Sequence, residues 1–273
     1  MSEFLYDVNS ALIAVILFVS MAVAIEIGLH IGLKSKRNAN EASRTHINAI
    51  QGSILGILAL LLGFTFSLSL QRFDSRSDAV VDEANAIGTA YLRAQLLPPA
   101  LRDPAQAQMR AYVDVRVRAG EVTLVDRAAQ QALLAEAARM QSALWRYALQ
   151  SAEAEMRPPM SVLFIEAVNA AFDSFGKRVA ALDRHVPEVV LLLLYGTFLM
   201  AGAIVGFSAG VGGHRPSLAS YIMVALIVVL VFIILDLDRP RRGLILVSQQ
   251  PMLQLQSSMK AAPLAPAQQE ISK

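Results

Sequence analysis

Four groups of side chains in this sequence are of types and spacings that could do chemistry. Glu26 and His30 lie one helical turn apart in an apolar run that holds no other charge. Ionisable groups within a bilayer are costly and often mark transport or gating sites, although a pair at i, i+4 near a membrane surface can also satisfy itself. Gly52, Ser53, Gly56, Ala59, Gly63 and Ser67 recur at steps of three and four, which gathers them on one helix face. Such a face serves either close helix packing or the lining of a narrow pore in an oligomer. Asp74, Asp78, Asp82 and Asn85 form an acidic stripe just beyond it. This is either a solvated bundle face or, around an oligomeric axis, a stack of acidic rings that favours cations. The fourth group is Asp236, Asp238, Arg239, Arg241 and Arg242, crowded at the end of an apolar run. It reads as an anchor with local ion pairs, as arginines reaching Asp74 or Asp78, or as a site for anions or lipid head groups.

Other chemistries lack their residues. The chain of 273 residues has no cysteine, which excludes disulfides, thiolate zinc sites, iron–sulfur clusters and thiol catalysis. Its four histidines share no ligand spacing, so no metal site is expected. There is no phosphate-binding loop, HExxH, dinucleotide fingerprint or Ser/His/Asp signature. The expectation is therefore a non-enzyme with no cofactor and no catalytic residue. A net charge of +2, from 24 basic and 22 acidic residues, provides no footprint for nucleic acid.

The elements that position these groups follow from hydropathy. The sequence is 55% hydrophobic and only 17% charged, with a mean hydropathy of +0.48. That argues against an ordinary soluble domain, which averages about a quarter charged residues. The apolar excess is concentrated in residues 11–33, 47–70, 189–213 and 216–235. Each reaches or nearly reaches the roughly 20 residues that a helix needs to cross a bilayer. The first is expected to be a span and not a cleaved leader, because Glu3 and Asp7 stand where a positive n-region would be. The expected class is an all-α integral membrane protein. A transmembrane hairpin occupies 1–70, a helical-bundle extramembrane domain 71–186, a second hairpin 187–237, and an amphipathic segment with a flexible tail 238–273.

Residues 71–186 balance 14 basic against 14 acidic residues, as a solvated domain does. The second span should run on as one helix towards Leu97, burying Phe73, Val80, Ala84, Ile87 and Tyr91, until Pro98-Pro99 stop it. Asp103-Pro104 suggest an N-cap and first helical residue, and Gly120 a C-terminal stop. A further helix repeats Ala129, Leu133, Ala137, Met140, Leu144 and Ala148 and ends at Pro158-Pro159. The last repeats Phe164, Val168, Ala171, Phe175, Val179 and Leu182. Amphipathic helices of this kind bury their stripes together as a bundle. Gly202, Gly206 and Gly210 in the third span have the spacing of a packing face.

Lys34, Lys36, Arg37 and Arg44 follow the first span, and Arg215 lies in the other short loop. Short basic loops stay in the cytoplasm, so the middle domain and both termini are expected outside, although Arg239, Arg241 and Arg242 argue the other way.

The run from Val80 to Arg93 resembles the signature of a bacterial membrane family described as bestrophin-like. Gly52 to Phe73, and Leu235 to Pro251 with its Asp-Leu-Asp-Arg-Pro-Arg-Arg-Gly, resemble that family's other blocks. The resemblance covers nearly the whole chain. It implies a multi-pass protein of the bacterial inner membrane and distant kinship to bestrophins, pentameric anion channels with four spans and a mostly helical cytosolic part. The second span departs from that pattern, with Phe64 and Phe66 as its only aromatics, and no run of acids matches the bestrophin calcium clasp. The function expected is a homo-oligomeric pore or ion channel conducting passively along the second span, with membrane lipids and inorganic ions as partners. The alternative is a non-conducting sensor or scaffold acting through its helical domain and a partner protein.

Overall fold

The computed structural model describes residues 10–36, 40–123, 126–154, 158–239 and 243–261. Among the described residues the regular elements are all helical: α1 (Ser10–Ser35), α2 (Glu41–Arg93), α3 (Pro99–Glu121), α4 (Arg127–Ala154), α5 (Pro158–Leu182), α6 (Glu188–Gly212), α7 (Leu218–Leu237) and α8 (Gln250–Lys260). They form two compact units. One comprises Met1–Phe73 with His185–Ile245, the other Asp74–Arg184 with Leu246–Lys273. The C-terminal stretch thus divides, its residues up to Ile245 belonging to the first unit and those from Leu246 to the second.

Among the described residues, four helices are long and apolar enough to cross a membrane, and the first unit holds them: α1, the first part of α2, α6 and α7. Its core joins Leu17, Met21 and Ile25 of α1 to Leu58 and Leu62 of α2, Phe198 of α6 and Val224 of α7. The outward residues Val15, Val19, Val23 and Ile27 are apolar as well. An apolar outside suits hydrocarbon and not water. Between α1 and α6 the backbones touch. A Cβ added to Gly28 would strike the Ala203 carbonyl, and one added to Gly206 would strike the Ile25 carbonyl. This is the packing that the spacing of Gly202, Gly206 and Gly210 implies, with Gly28 and Gly32 as its counterparts on α1. At the C-terminal end of α6, just beyond this contact, Gly213 closes the helix at φ 77°, a left-handed residue taking the role of C-cap.

The second unit is the helical bundle. Ala84, Ile87 and Ala90 of α2 pack with Met109, Tyr112 and Val113 of α3, Leu133, Ala137, Leu144 and Ala148 of α4, and Phe164, Val168 and Ala171 of α5. Met252 and Met259 of α8 complete that core. Each such large side chain stabilises the unit by roughly 1.5–3 kcal/mol when taken from water. Two helix starts carry side-chain caps, at Asn40 and Asp126, whereas Ser217 before α7 makes no such bond. Asn40 Oδ1 accepts the Ser43 N–H at 2.8 Å, and Asp126 Oδ1 accepts the Ala129 N–H at 3.0 Å.

Three expected boundaries shift. The long helix ends at Arg93, and Ala94–Leu96 form a 3-10 turn before the proline pair. Helix α3 begins at Pro99 and not after Asp103, with Pro104 inside it. Proline at the first helical position forfeits no hydrogen bond, and at the sixth it forfeits only one, so the earlier proline sets the start. Gly120 is not a stop, since α3 continues to Glu121 and the Val122 cap is extended. Its missing side chain instead admits Gln249, whose Oε1 would lie 2.6 Å from an added Cβ. The tail from residue 262 onward lies outside the described residues.

Candidate functional site

On the membrane-spanning part of α2 the small-residue stripe is outward. Gly52, Ser53, Gly56, Ala59, Gly63 and Ser67 are all exposed. A Cβ built on Gly52, Gly56 or Gly63 meets nothing within 4 Å. The opposite side of the same helix is the buried one, carrying Leu58, Leu62, Thr65 and Ser69. The stripe therefore does not pack against its own chain. In the second unit α2 also exposes Asp74, Asp78, Asp82 and Asn85, while Ala79, Val80, Glu83 and Ala84 are buried. Both stripes lie on exposed faces of α2, with Leu60 exposed among the small residues of the first and Ile57, Phe64 and Leu68 exposed beside it, so these faces are open to lipid, to water, to ions or to another copy.

The cluster at the end of α7 folds into the membrane unit. Asp236 accepts the backbone N–H groups of Leu244 and Ile245 through Oδ2, at 2.9 and 2.8 Å. Gly243 sits against the same carboxylate at φ 134°, where any side chain would collide with it. Asp238 accepts the Val186 N–H at 3.0 Å and lies 3.7 Å from Arg72 at the end of the apolar part of α2. Arg239 donates to Ser10 at 2.8 Å. A clamp between α2 and the end of α7 exists, but its polarity is the reverse of the one that pairs Asp74 or Asp78 with the arginine run. Here α2 supplies the arginine and α7 the carboxylate. Arg241 and Arg242 lie outside the described residues.

Glu26 and His30 do not pair through their side chains. His30 Nδ1 lies 2.7 Å from the Glu26 main-chain oxygen, and the Tyr221 hydroxyl donates to Glu26 Oε1 at 3.3 Å. Both residues are exposed on the surface of the membrane unit.

The structure also contains a charge cluster that periodicity does not single out. Glu83 on α2 is fully buried between two buried arginines. Arg116 of α3 donates to its two oxygens at 2.6 and 3.2 Å, and Arg178 of α5 donates to Oε2 at 2.6 Å. Arg178 also donates to Gln249 Oε1 at 2.6 Å, and the Arg116 guanidinium lies 4.6 Å from the centre of the Phe175 ring. Burial alone would raise the Glu83 carboxyl, but the two guanidiniums outweigh it and hold the pKa below the ordinary value. Burial draws Arg178 down and the neighbouring Arg116 charge adds to the fall, against the opposing pull of the Glu83 carboxylate. Burial also pushes Tyr112 up, and the Glu83 charge pushes it further. A signal was present in the sequence. Glu83 follows Val80 by three, and Arg178 follows Phe175 by three, so each is a charge in phase with an apolar stripe. Nearby, Arg76 is buried and donates to the carbonyls of Ala181 and Arg184 at 3.1 and 2.5 Å, fastening the end of α5 to α2.

Among the described residues no group of His, Asp and Glu could hold a metal ion. The arrangement offers exposed polar faces and buried structural ion pairs.

These elements define a multi-pass, all-α membrane protein with four candidate spans and a separate helical bundle. The Bestrophin-like domain matches residues 9–252, and the chain belongs to that family. In structure it is similar to a bacterial bestrophin homolog from Klebsiella pneumoniae in two substituted forms. One, carrying a tryptophan-to-alanine change, has a TM-score of 0.64 at 14% identity, covering 89% of this chain and 94% of that one. The other, carrying a tyrosine-to-alanine change, has a TM-score of 0.65 at 14% identity, covering 90% and 97%. A solved membrane protein with a proline-to-alanine change scores 0.60 at 14% identity, covering 89% and 97%. No curated protein matches by sequence.

Proposed function

We propose that several copies of this chain assemble into a passive ion pore, with the Gly52–Ser67 face of each α2 around a shared, water-filled passage. The observation that carries this reading is the open side of that face. Three glycines whose Cβ positions are empty, with exposed Ser53 and Ser67 on the same face, lie along one side of a spanning helix. Spans normally turn large apolar residues to lipid and small ones to other helices or to a pore. The family membership and the bestrophin-homolog fold support the same reading. The acidic stripe on the same helix would add rings of carboxylates, which favours cations over anions. The basic residues Lys34, Lys36, Arg44 and Arg215, at or beside the two short hairpin connections, support a cytoplasmic position for both connections and an extracytoplasmic one for the bundle.

The test is the purified, detergent-solubilised assembly in planar bilayers, with its mass measured in parallel. The reading expects a mass of several subunits and a current that depends on the cation present. An intact oligomer that carries no current in any salt or polarity contradicts it, as does a lone subunit. Reporter fusions at residue 130 that are active only in the cytoplasm contradict the orientation.

A further inference from the structure

An open groove of about 600 Å³ runs along the outer face of α1 beside α7. Phe18, Val19, Val23 and Ile27 make most of it apolar, and Glu26, His30 and Tyr221 make one end polar. Its depth follows from helix geometry. Helix α7 has 20 residues, about 30 Å long, which matches the hydrocarbon core. Tyr221 lies in the first turn of α7, so the carboxyl group that it holds sits just beneath the membrane surface, at the level of the aromatic belt. A carboxylate facing lipid there is costly unless something meets it.

The hydrogen bonds say what would meet it. A main-chain oxygen only accepts, so His30 Nδ1 must carry the proton shared with the Glu26 carbonyl. In the neutral ring this leaves Nε2 with a lone pair. Glu26 Oε1 accepts from Tyr221, and Oε2 takes no hydrogen bond from the described residues. Among the lining residues the polar end therefore presents acceptors and a carboxylate with no uncommitted donor, beside a slot for hydrocarbon, while Arg215 acts on Tyr221 from outside the lining. We infer that this groove binds the primary ammonium head group of a membrane phospholipid, phosphatidylethanolamine chemistry, with its acyl chain along α1. The inference rests on the membrane-spanning character of the chain and not on conduction.

The test is native mass spectrometry of the full-length protein in detergent, titrated with phosphatidylethanolamine, phosphatidylcholine and phosphatidylglycerol of identical chains. A primary ammonium donates hydrogen bonds, a trimethylammonium cannot, and the glycerol head group brings no positive charge. Wild type should retain phosphatidylethanolamine about tenfold more tightly than either other lipid, the scale of a charge-assisted hydrogen bond. Glu26→Gln should abolish that preference while leaving phosphatidylglycerol binding unchanged, which also reports that the variant is folded. Tyr221→Phe should reduce it less. Dodecylamine should displace the lipid and dodecanol should not. Equal retention of all three lipids by wild type, an unchanged preference in Glu26→Gln, or equal displacement by the alcohol would overturn the inference. So would a fall in subunit number on Glu26→Gln without a change in bound lipid, because the groove would then be covered by a second copy.

Discussion

Arg178 on α5 donates to Glu83 on α2 at 2.6 Å, with both side chains almost wholly withdrawn from solvent. Removing one member of a buried ion pair leaves the other charge without its partner, which costs about 3–5 kcal/mol. Arg178→Ala should therefore lower the denaturation midpoint of the bundle sharply, measured by circular dichroism in detergent. Exposed Arg118, paired with Glu136 at 2.7 Å, is the control. Arg118→Ala should cost no more than about 1 kcal/mol. Equal effects from the two substitutions would mean that the buried pair contributes little.

The same carboxylate makes stability depend on acid. Folding holds the Glu83 pKa below 4.5, so as pH falls the unfolded chain takes up this proton first. The contribution is whole above 4.5 and disappears as pH drops through the lower folded value. Thermal melts between neutrality and pH 3 should show this fall in wild type and a shallower one in Glu83→Gln. Parallel curves would exclude Glu83 as the group responsible.

The glycines divide into two kinds, and substitution should separate them. Gly206→Leu drives a side chain into the Ile25 backbone and should destabilise the membrane unit by at least the roughly 1–3 kcal/mol typical of overpacking. Gly56→Leu has empty space before it, and replacing glycine in a helix gains up to about 1 kcal/mol. It should leave the melting temperature unchanged or raise it, and reduce the current if the face lines a passage. Melting curves and bilayer recordings of the two variants check both halves.

Asp236 holds the turn after α7 by accepting two backbone N–H groups. Asp236→Ala strands both donors, at about 1–3 kcal/mol each if they stay buried. Protease cleavage between Gly243 and Ser248 should become faster in the variant, and unchanged cleavage would contradict this role for Asp236.

Much of this architecture is legible from hydropathy, because a bilayer demands runs that nothing else requires. The apolar stripes of α4 and α5 are legible for a similar reason, since Leu133, Ala137 and Leu144 or Phe164, Val168 and Ala171 repeat with the helical period. Pro104 misleads because proline marks a helix start only by frequency, and Pro99 occupies the position that costs less. Glu83, Arg116 and Arg178 stay hidden because a charge is read as solvent-facing until its partners are known, and those partners are 33 and 95 residues away. The Arg72–Asp238 contact is missed for the same cause. Sequence places both charges at a membrane surface, but only the fold says which acid meets which base.

The most direct measurement uses the absence of cysteine from the chain. Ser53→Cys, Gly56→Cys, Gly63→Cys and Ser67→Cys, made one at a time, should each allow a charged, water-soluble methanethiosulfonate reagent to alter the bilayer current. Val15→Cys, on the outward face of α1, should not respond. Currents that ignore the reagent at all four α2 positions, from an assembly that conducts, would contradict a water-filled passage along this face.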